Sequence, residues 1–235
     1  MPLRPCPAAA LLLAGAILAS GPCAAQDRKE VLRSEFWADV EPVAGVGEEW
    51  PVGPDEARRR ILDEAAWVFS GMIWGYEFSY TPYDKTRALA ERFDVLPIQS
   101  LAPGELSLAV ESSPASASPS LPDSLDRFYS LAQYRPDAGL VSLMESYSSD
   151  PWQGAQGVGK ADMDRGVKGR RAAYVDGLRA AVRSLLQGLE PNKPRLVKGR
   201  VVFDRPPSMA IIGGFYTAQV RARVMVTEAI PYAVF

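Results

Sequence analysis

The chain has 235 residues and carries 26 basic and 28 acidic side chains, with two cysteines and no histidine. Without histidine it cannot form a Ser-His-Asp triad, a Cys-His pair or an imidazole-ligated zinc site. The sequence also lacks the Gly-x-Ser-x-Gly and Ser-x-x-Lys signatures of serine hydrolases. We therefore expect no cofactor and no metal site, and paired carboxylates remain as the main route to catalysis.

Residues 1 to 25 have the pattern of a secretory signal peptide. Arg4 supplies a positive charge, residues 8 to 19 form an apolar run too short to span a bilayer, and Cys23-Ala24-Ala25 resembles a cleavage site. Because both cysteines lie in this segment, a chain processed near Ala25 would contain no thiol. We therefore expect a periplasmic or secreted bacterial envelope protein with no transmembrane segment. The alternative is a lipoprotein anchored through Cys23, although Pro22 is unusual beside a lipidated cysteine.

Residues 26 to 53 show little periodicity and predict an irregular lead-in. Pro54, followed by two acidic residues, is typical of the first turn of a helix. Apolar residues then recur at helical spacing, and the charges disappear between residues 65 and 76. This pattern predicts a helix that is buried nearly all round and serves as the central hydrophobic element.

The segment from 76 to 150 is predicted to be mainly helical after an extended aromatic ribbon over residues 76 to 81. A capping sequence at Thr81 predicts a helix that runs through Phe93, and two more short helices are predicted around residues 125 to 132 and 140 to 147. Short strands are predicted at 95 to 98 and 105 to 111. Residues 112 to 122, rich in Ser, Ala and Pro, predict a surface loop within the helical portion 54 to 150.

Residues 154 to 160 match the first seven positions of a phosphate-binding P-loop. Ala161 stands where a hydroxyl would hold magnesium, and the preceding residues form a turn rather than an apolar strand. We therefore interpret the segment as a flexible glycine-rich connection. It leads into a long helix predicted from Asp162 to Leu189, which ends before Pro191.

Residues 160 to 235 are predicted to form this helix and an antiparallel sheet. Strand patterns cover residues 195 to 204, 209 to 213 and 215 to 228, with Gly213-Gly214 as a hairpin turn. The last strand alternates apolar and polar residues, which predicts one face covered by the long helix. The predicted fold is α+β, with a helical N-terminal and middle portion and a C-terminal long helix packed on a three-stranded antiparallel sheet.

Charge is distributed unevenly along the chain. Residues 26 to 159 hold 11 basic and 22 acidic side chains, whereas residues 160 to 205 hold 12 and 5. This polarity favours either docking of the basic part on the acidic part or binding of an anionic partner. Strand pairing would bring four cations together, and we name these the basic face: Lys198, Arg200, Arg221 and Arg223. The basic face is the predicted site for an anionic surface ligand, with a solvated, aggregation-resistant sheet face as the alternative.

Four aromatic residues form a second candidate binding set, because stacked rings with polar tips suit sugars and peptides. They are Trp74, Tyr76, Phe78 and Tyr80, and core packing is the alternative interpretation.

The leading functional hypothesis is a non-catalytic envelope protein that binds or scaffolds another envelope protein or an anionic ligand. We expect no nucleic-acid partner in that compartment. A carboxylate-dependent hydrolase acting on cell-wall glycan is the alternative, favoured by the acidic N-terminal portion and its aromatic residues. The sequence assigns no catalytic residue and no oligomeric state.

Overall fold

The computed structural model describes residues 31–40, 52–112, 127–189 and 193–232. Strands make up 42% of the described structure, together with three helices. The helices are α1 (Pro54–Ile73), α2 (Ala138–Ser146) and α3 (Gly166–Leu189). The strands are β1 (Leu32–Asp39), β2 (Tyr76–Thr81), β3 (Arg92–Pro97), β4 (Ser107–Ser112), β5 (Arg127–Tyr134), β6 (Gln153–Asp162), β7 (Leu196–Phe203), β8 (Ser208–Ile212) and β9 (Phe215–Ile230).

The larger sheet has six strands and curls into a half-barrel around α3. Its order is β3-β2-β7-β9-β6, and β8 pairs with β9 beside the end of β7. All of these pairings are antiparallel. The prediction of a three-stranded sheet under the long helix is wrong, because β2 and β3 come from the middle of the chain and β6 from the glycine-rich segment. The three strands predicted at residues 195 to 204, 209 to 213 and 215 to 228 are confirmed as β7, β8 and β9.

The prediction of a helical N-terminal and middle portion is also wrong. The segment expected to be a helix between Thr81 and Phe93 forms a turn, closed by a bridge between Asp84 and Leu89, which leads into β3. Of the segment expected to be a helix around residues 125 to 132, the part that the structure describes, from Arg127, is strand β5. Strand β5 gains sheet hydrogen bonds from β1 and β4, which a local helical spacing does not reveal, whereas the turn is held by backbone hydrogen bonds between Asp84 and Leu89. The short helix expected at 140 to 147 is confirmed as α2.

A second sheet has three antiparallel strands in the order β1-β5-β4. Strand β1 lies within residues 26 to 53, where an irregular lead-in was expected, and pairs with β5 along its whole length. The predicted signal segment 1 to 25 lies outside the described residues, as does all of the predicted loop except Ser112.

Helix α1 lies between the two sheets. The sequence predicted a central buried helix here, but no second sheet. The Phe69 ring contacts the Phe36 ring of β1 edge to face at 6.0 Å. On its other side, Trp67 contacts Tyr76 of β2 and Phe203 of β7 at centroid distances of 5.0 and 5.7 Å. Such burial stabilises the fold by about 1.5–3 kcal/mol for each large apolar side chain, so α1 is a main source of cohesion between the layers.

Helix α3 crosses β6 at backbone contact distance. A Cβ atom on Gly157 would overlap the α3 backbone at Gly177 and Ala181, and one on Gly159 would overlap it at Ala173 and Gly177. The segment that matches part of a P-loop is therefore a regular strand, and its interpretation as a flexible connection is wrong. Its glycines make room for the helix instead of cradling a phosphate.

Replacing Gly159 with Ala should disrupt this contact, because the added methyl group would collide with backbone that cannot rotate away. We expect Gly159→Ala to lower the free energy of unfolding by about 3 kcal/mol. Gly154→Ala is the matched control on the same strand, since its Cβ would lie 3.8 Å from its nearest neighbour, Nη1 of Arg223, which is ordinary van der Waals distance. The measurement is urea unfolding of both variants, and equal midpoints would contradict the proposed packing role of Gly159.

Candidate functional site: a groove along helix α3

The residues of the basic face lie on β7 and β9, but most of their charge is paired. Three of the four cations have a carboxylate neighbour, and the pairs are Lys198–Glu228 at 3.0 Å, Arg200–Glu77 at 3.9 Å and Arg223–Asp204 at 2.8 Å. Among the described residues, Arg221 has no such partner, and it lines an open depression of about 680 Å³. These pairs leave little net charge on the basic face, and its role in binding stays a prediction.

The aromatic set is divided between the core and its border. Tyr76, Phe78 and Tyr80 are only 1–3% exposed and project from one face of β2 into the core. Trp74, directly after α1, is half-buried against the same core. Three of the four rings are therefore used for packing, which is the alternative that the sequence left open.

A buried ionic cluster joins α1, α3 and β1, and we name it the Arg170 cluster: Arg170, Glu64, Tyr174 and Trp37. Arg170 is 5% exposed and donates from Nε and Nη2 to the two carboxylate oxygens of Glu64, at 2.8 and 2.9 Å. The Tyr174 hydroxyl donates to Glu64 at 2.6 Å, and the guanidinium lies 3.8 Å from the centroid of the Trp37 ring. Burial opposes the charge of Arg170, but Glu64 together with the Tyr174 and Tyr216 hydroxyls outweighs burial and raises the pKa of the guanidinium.

Asp39 lies beside this cluster at the end of β1. It accepts hydrogen bonds from Arg127 at 3.3 Å and from the Tyr216 hydroxyl at 3.2 Å. Burial raises the pKa of Asp39 above its ordinary value, against the opposing charges of Arg170 and Arg127. Asp39 and Glu64 line a cavity of about 30 Å³, which has room for water but not for a sugar ring. These contacts favour a structural role for both carboxylates over a part in glycan hydrolysis.

A groove follows the first half of α3, and we name it the α3 groove. It consists of two depressions that share Lys168 and Arg171 in their walls. The smaller, about 140 Å³, lies between α3 and α1 beside Trp67. The larger, about 440 Å³, continues along α3 past Val175 to Arg179, beside Phe93 of β3. From Lys168 to Arg179 the helix rises by about 16 Å, so the groove is elongated.

Aromatic rings form the part of the α3 groove nearest α1. The Trp67 ring stacks on Tyr174 with the centroids 5.8 Å apart, and the Arg171 guanidinium lies 5.1 Å from the Trp67 centroid. Cation–π contact of this kind holds a guanidinium over an aromatic face while its N–H groups stay available to a ligand. The groove therefore combines an apolar floor with a cation positioned at its wall.

Most charged groups in the walls of the α3 groove are already paired. Arg170 is held by Glu64, Arg179 contacts Asp176 at 2.6 Å and Glu91 at 3.1 Å, and Asp63 contacts Arg59 at 3.1 Å. Within the described ranges, Lys168 and Arg171 have no carboxylate partner. Two cations are thus left available in the groove.

Two arginine N–H groups in the same walls also lack acceptors. Nη1 of Arg170 and Nε of Arg179 are buried and have no hydrogen-bond partner in the described part of the chain. An unsatisfied donor on a charged group is costly, and water or an anionic ligand is the usual way in which such a donor is satisfied.

Sequence reasoning did not identify Lys168 or Arg171 as site residues. The available signal was the basic segment 160 to 205, together with two cations three residues apart on a predicted helix, which places them on one face. The described residues contain no group of three or more acidic side chains arranged to hold a metal ion. None of the helices described in the structure is both long and apolar enough to span a membrane.

A model of an uncharacterised protein family matches residues 19–232. The chain belongs to this family. It is also similar to an uncharacterised protein of Treponema pallidum (strain Nichols), with 30% identity over 203 residues that cover 85% of this chain and 81% of that protein. No solved structure gives a significant match. The family relationship therefore supplies no activity, and the site has to be interpreted from its own chemistry.

The Arg170 cluster should be sensitive to the loss of one charge. We expect Arg170→Met to lower the free energy of unfolding by about 3–5 kcal/mol, because it leaves the Glu64 carboxylate buried without its partner. The double variant Arg170→Met with Glu64→Gln should be more stable than Arg170→Met alone, since no buried charge is left unpaired. Urea unfolding of both variants tests this, and a double variant less stable than the single one would contradict the pairing.

Proposed function

We propose that the protein is an exported, non-catalytic binding protein of the bacterial envelope, and that it binds an anionic ligand in the α3 groove. The observation that carries this proposal is the pair of cations, Lys168 and Arg171, which have no carboxylate partner among the described residues and lie beside the aromatic floor at Trp67. Export is supported by the signal-peptide pattern of residues 1 to 25.

The groove suits an anion for physical reasons. A carboxylate or phosphate that contacts Arg171 can accept two parallel hydrogen bonds from the guanidinium, and Lys168 adds a second charge one helical turn away. Apolar walls reduce the screening of these charges by water, so each contact is stronger than on an open surface. The basic face is less suitable, because a ligand there would compete with Glu228, Glu77 and Asp204 for the cations.

Removal of the two groove cations tests the binding site. We expect Lys168→Gln with Arg171→Gln to weaken binding of the anionic dye 8-anilino-1-naphthalenesulfonate about tenfold or more, which corresponds to the loss of one charge-assisted contact. The measurement is a fluorescence titration of the processed protein. Lys198→Gln with Arg221→Gln is the matched control, since it removes one lysine and one arginine from the basic face. Equal weakening of dye binding in both double variants, or weakening in the control alone, would contradict the proposed binding site in the α3 groove.

Export is tested separately by the intact mass of the protein purified from the native envelope fraction. We expect a mass that corresponds to a chain beginning at Gln26, because cleavage after Ala25 fits the small-residue pattern. A mass that corresponds to a chain beginning at Cys23 with attached acyl chains would show that the protein is a lipoprotein instead. Recovery of the unprocessed chain in the cytoplasmic fraction would contradict export.

A further inference from the structure

The α3 groove has more apolar wall than an anion alone would need. Between the two available cations and Arg179, Phe93, Ala172 and Val175 contribute hydrocarbon and aromatic surface to the walls, beside Asp176, which is held by Arg179. At its other end Val167 is 39% exposed, although valine is usually buried. An apolar surface of this kind beside two cations requires a ligand with two chemically different parts.

The charges of the groove limit how many negative groups the ligand carries. Among the described residues that line the groove, Lys168 and Arg171 are the cations left available, and the carboxylates Asp63 and Asp176 are held by Arg59 and Arg179. Arg179, at the far end, is already held by Asp176 and Glu91. A polyanion with charges spread along its length would therefore meet paired side chains and apolar walls over most of the groove.

We propose that the ligand of the α3 groove is a single-chain amphipathic anion, in which one carboxylate or phosphate head group contacts Lys168 and Arg171. Its alkyl chain lies along α3 over Ala172 and Val175, against the Phe93 ring. This inference rests on the proposed function and adds the chemical class of the ligand. The larger depression, about 440 Å³, lies within the range of about 300–1,000 Å³ that is typical of small-molecule sites.

The two parts of the ligand make separable contributions. The head group depends on the cations at the junction of the two depressions, and the chain depends on the hydrocarbon surface further along the helix. Each methylene group that becomes buried strengthens binding about fourfold, so affinity should rise steeply with chain length until the chain reaches Arg179.

Isothermal titration of the processed protein tests both parts, with all amphiphiles kept below their micelle-forming concentrations. The probes are dodecanoate and dodecyl phosphate, the head-group ions acetate and inorganic phosphate, and dodecyl maltoside, which has the same chain and no charge. We expect at least one dodecyl anion to bind at least about a hundredfold more tightly than its head-group ion, and about tenfold more tightly than dodecyl maltoside. Comparison of the two dodecyl anions identifies the head group.

The outcomes separate this inference from the proposed function. If acetate or inorganic phosphate binds as tightly as its dodecyl counterpart, the groove binds anions, and the inference of an amphipathic ligand is wrong. If dodecyl maltoside binds as tightly as both dodecyl anions, or no probe binds, both the anionic site and its amphipathic ligand are overturned.

A variant in the apolar wall provides an independent check. We expect Val175→Ser to weaken binding of the dodecyl anion about fivefold, while the weak binding of its head-group ion is unchanged. Val158→Ser is the matched control, because Val158 lies on β6, outside the groove-lining residues, and is 54% exposed. Equal effects of the two substitutions on the dodecyl anion would contradict the chain path along α3.

Discussion

The contact between the α3 backbone and the β6 backbone is the constraint on which the rest of the structure depends. Gly157 and Gly159 on the strand, with Gly177 on the helix, leave no side chain between the two elements. The helix is thereby held inside the curl of the sheet, and its rotation is fixed. Tyr174 and Leu178 are buried, whereas Lys168 and Arg171 are exposed. The α3 groove is a consequence, because it forms along the side of the helix opposite β6, between α1 and Phe93 of β3.

The Arg170 cluster sets the spacing of the layers around that helix. A buried ion pair gains little net stability, because removing both charges from water offsets most of their attraction. Its geometry is nevertheless demanding, since Arg170 must reach the two oxygens of Glu64 on α1 and the ring of Trp37 on β1 together. This arrangement brings α1 beside α3 and leaves Trp67 as the floor of the groove. A buried polar contact thus shapes an exposed binding surface.

The parts of the fold that were predictable are those whose pattern is local. Pro54 and its acidic neighbours define the start of α1, and the alternation along β9 shows which face is covered. Strand β5 was predicted to be a helix because Phe128, Tyr129 and Ala132 also fit helical spacing, while Ser130, a polar residue buried on the inner face, conceals the alternation. Strand β6 has the glycines that normally weaken strands, and only the close approach of α3, the helix that follows it, explains them.

The site was harder to predict than the fold, because the sequence does not show which cations have a carboxylate partner in the folded chain. Only a cation without such a partner is available to a ligand. The basic segment 160 to 205 is visible in the sequence, but the pairing of Arg200 with Glu77 joins residues far apart in the chain. Within the described part of this segment, folding places carboxylates beside Arg170, Arg179, Arg183, Lys198 and Arg200. Lys168 and Arg171 differ because α3 places them over an aromatic and aliphatic wall instead. The chemistry of the ligand therefore follows from which charges remain after internal pairing, and from the apolar surface beside them.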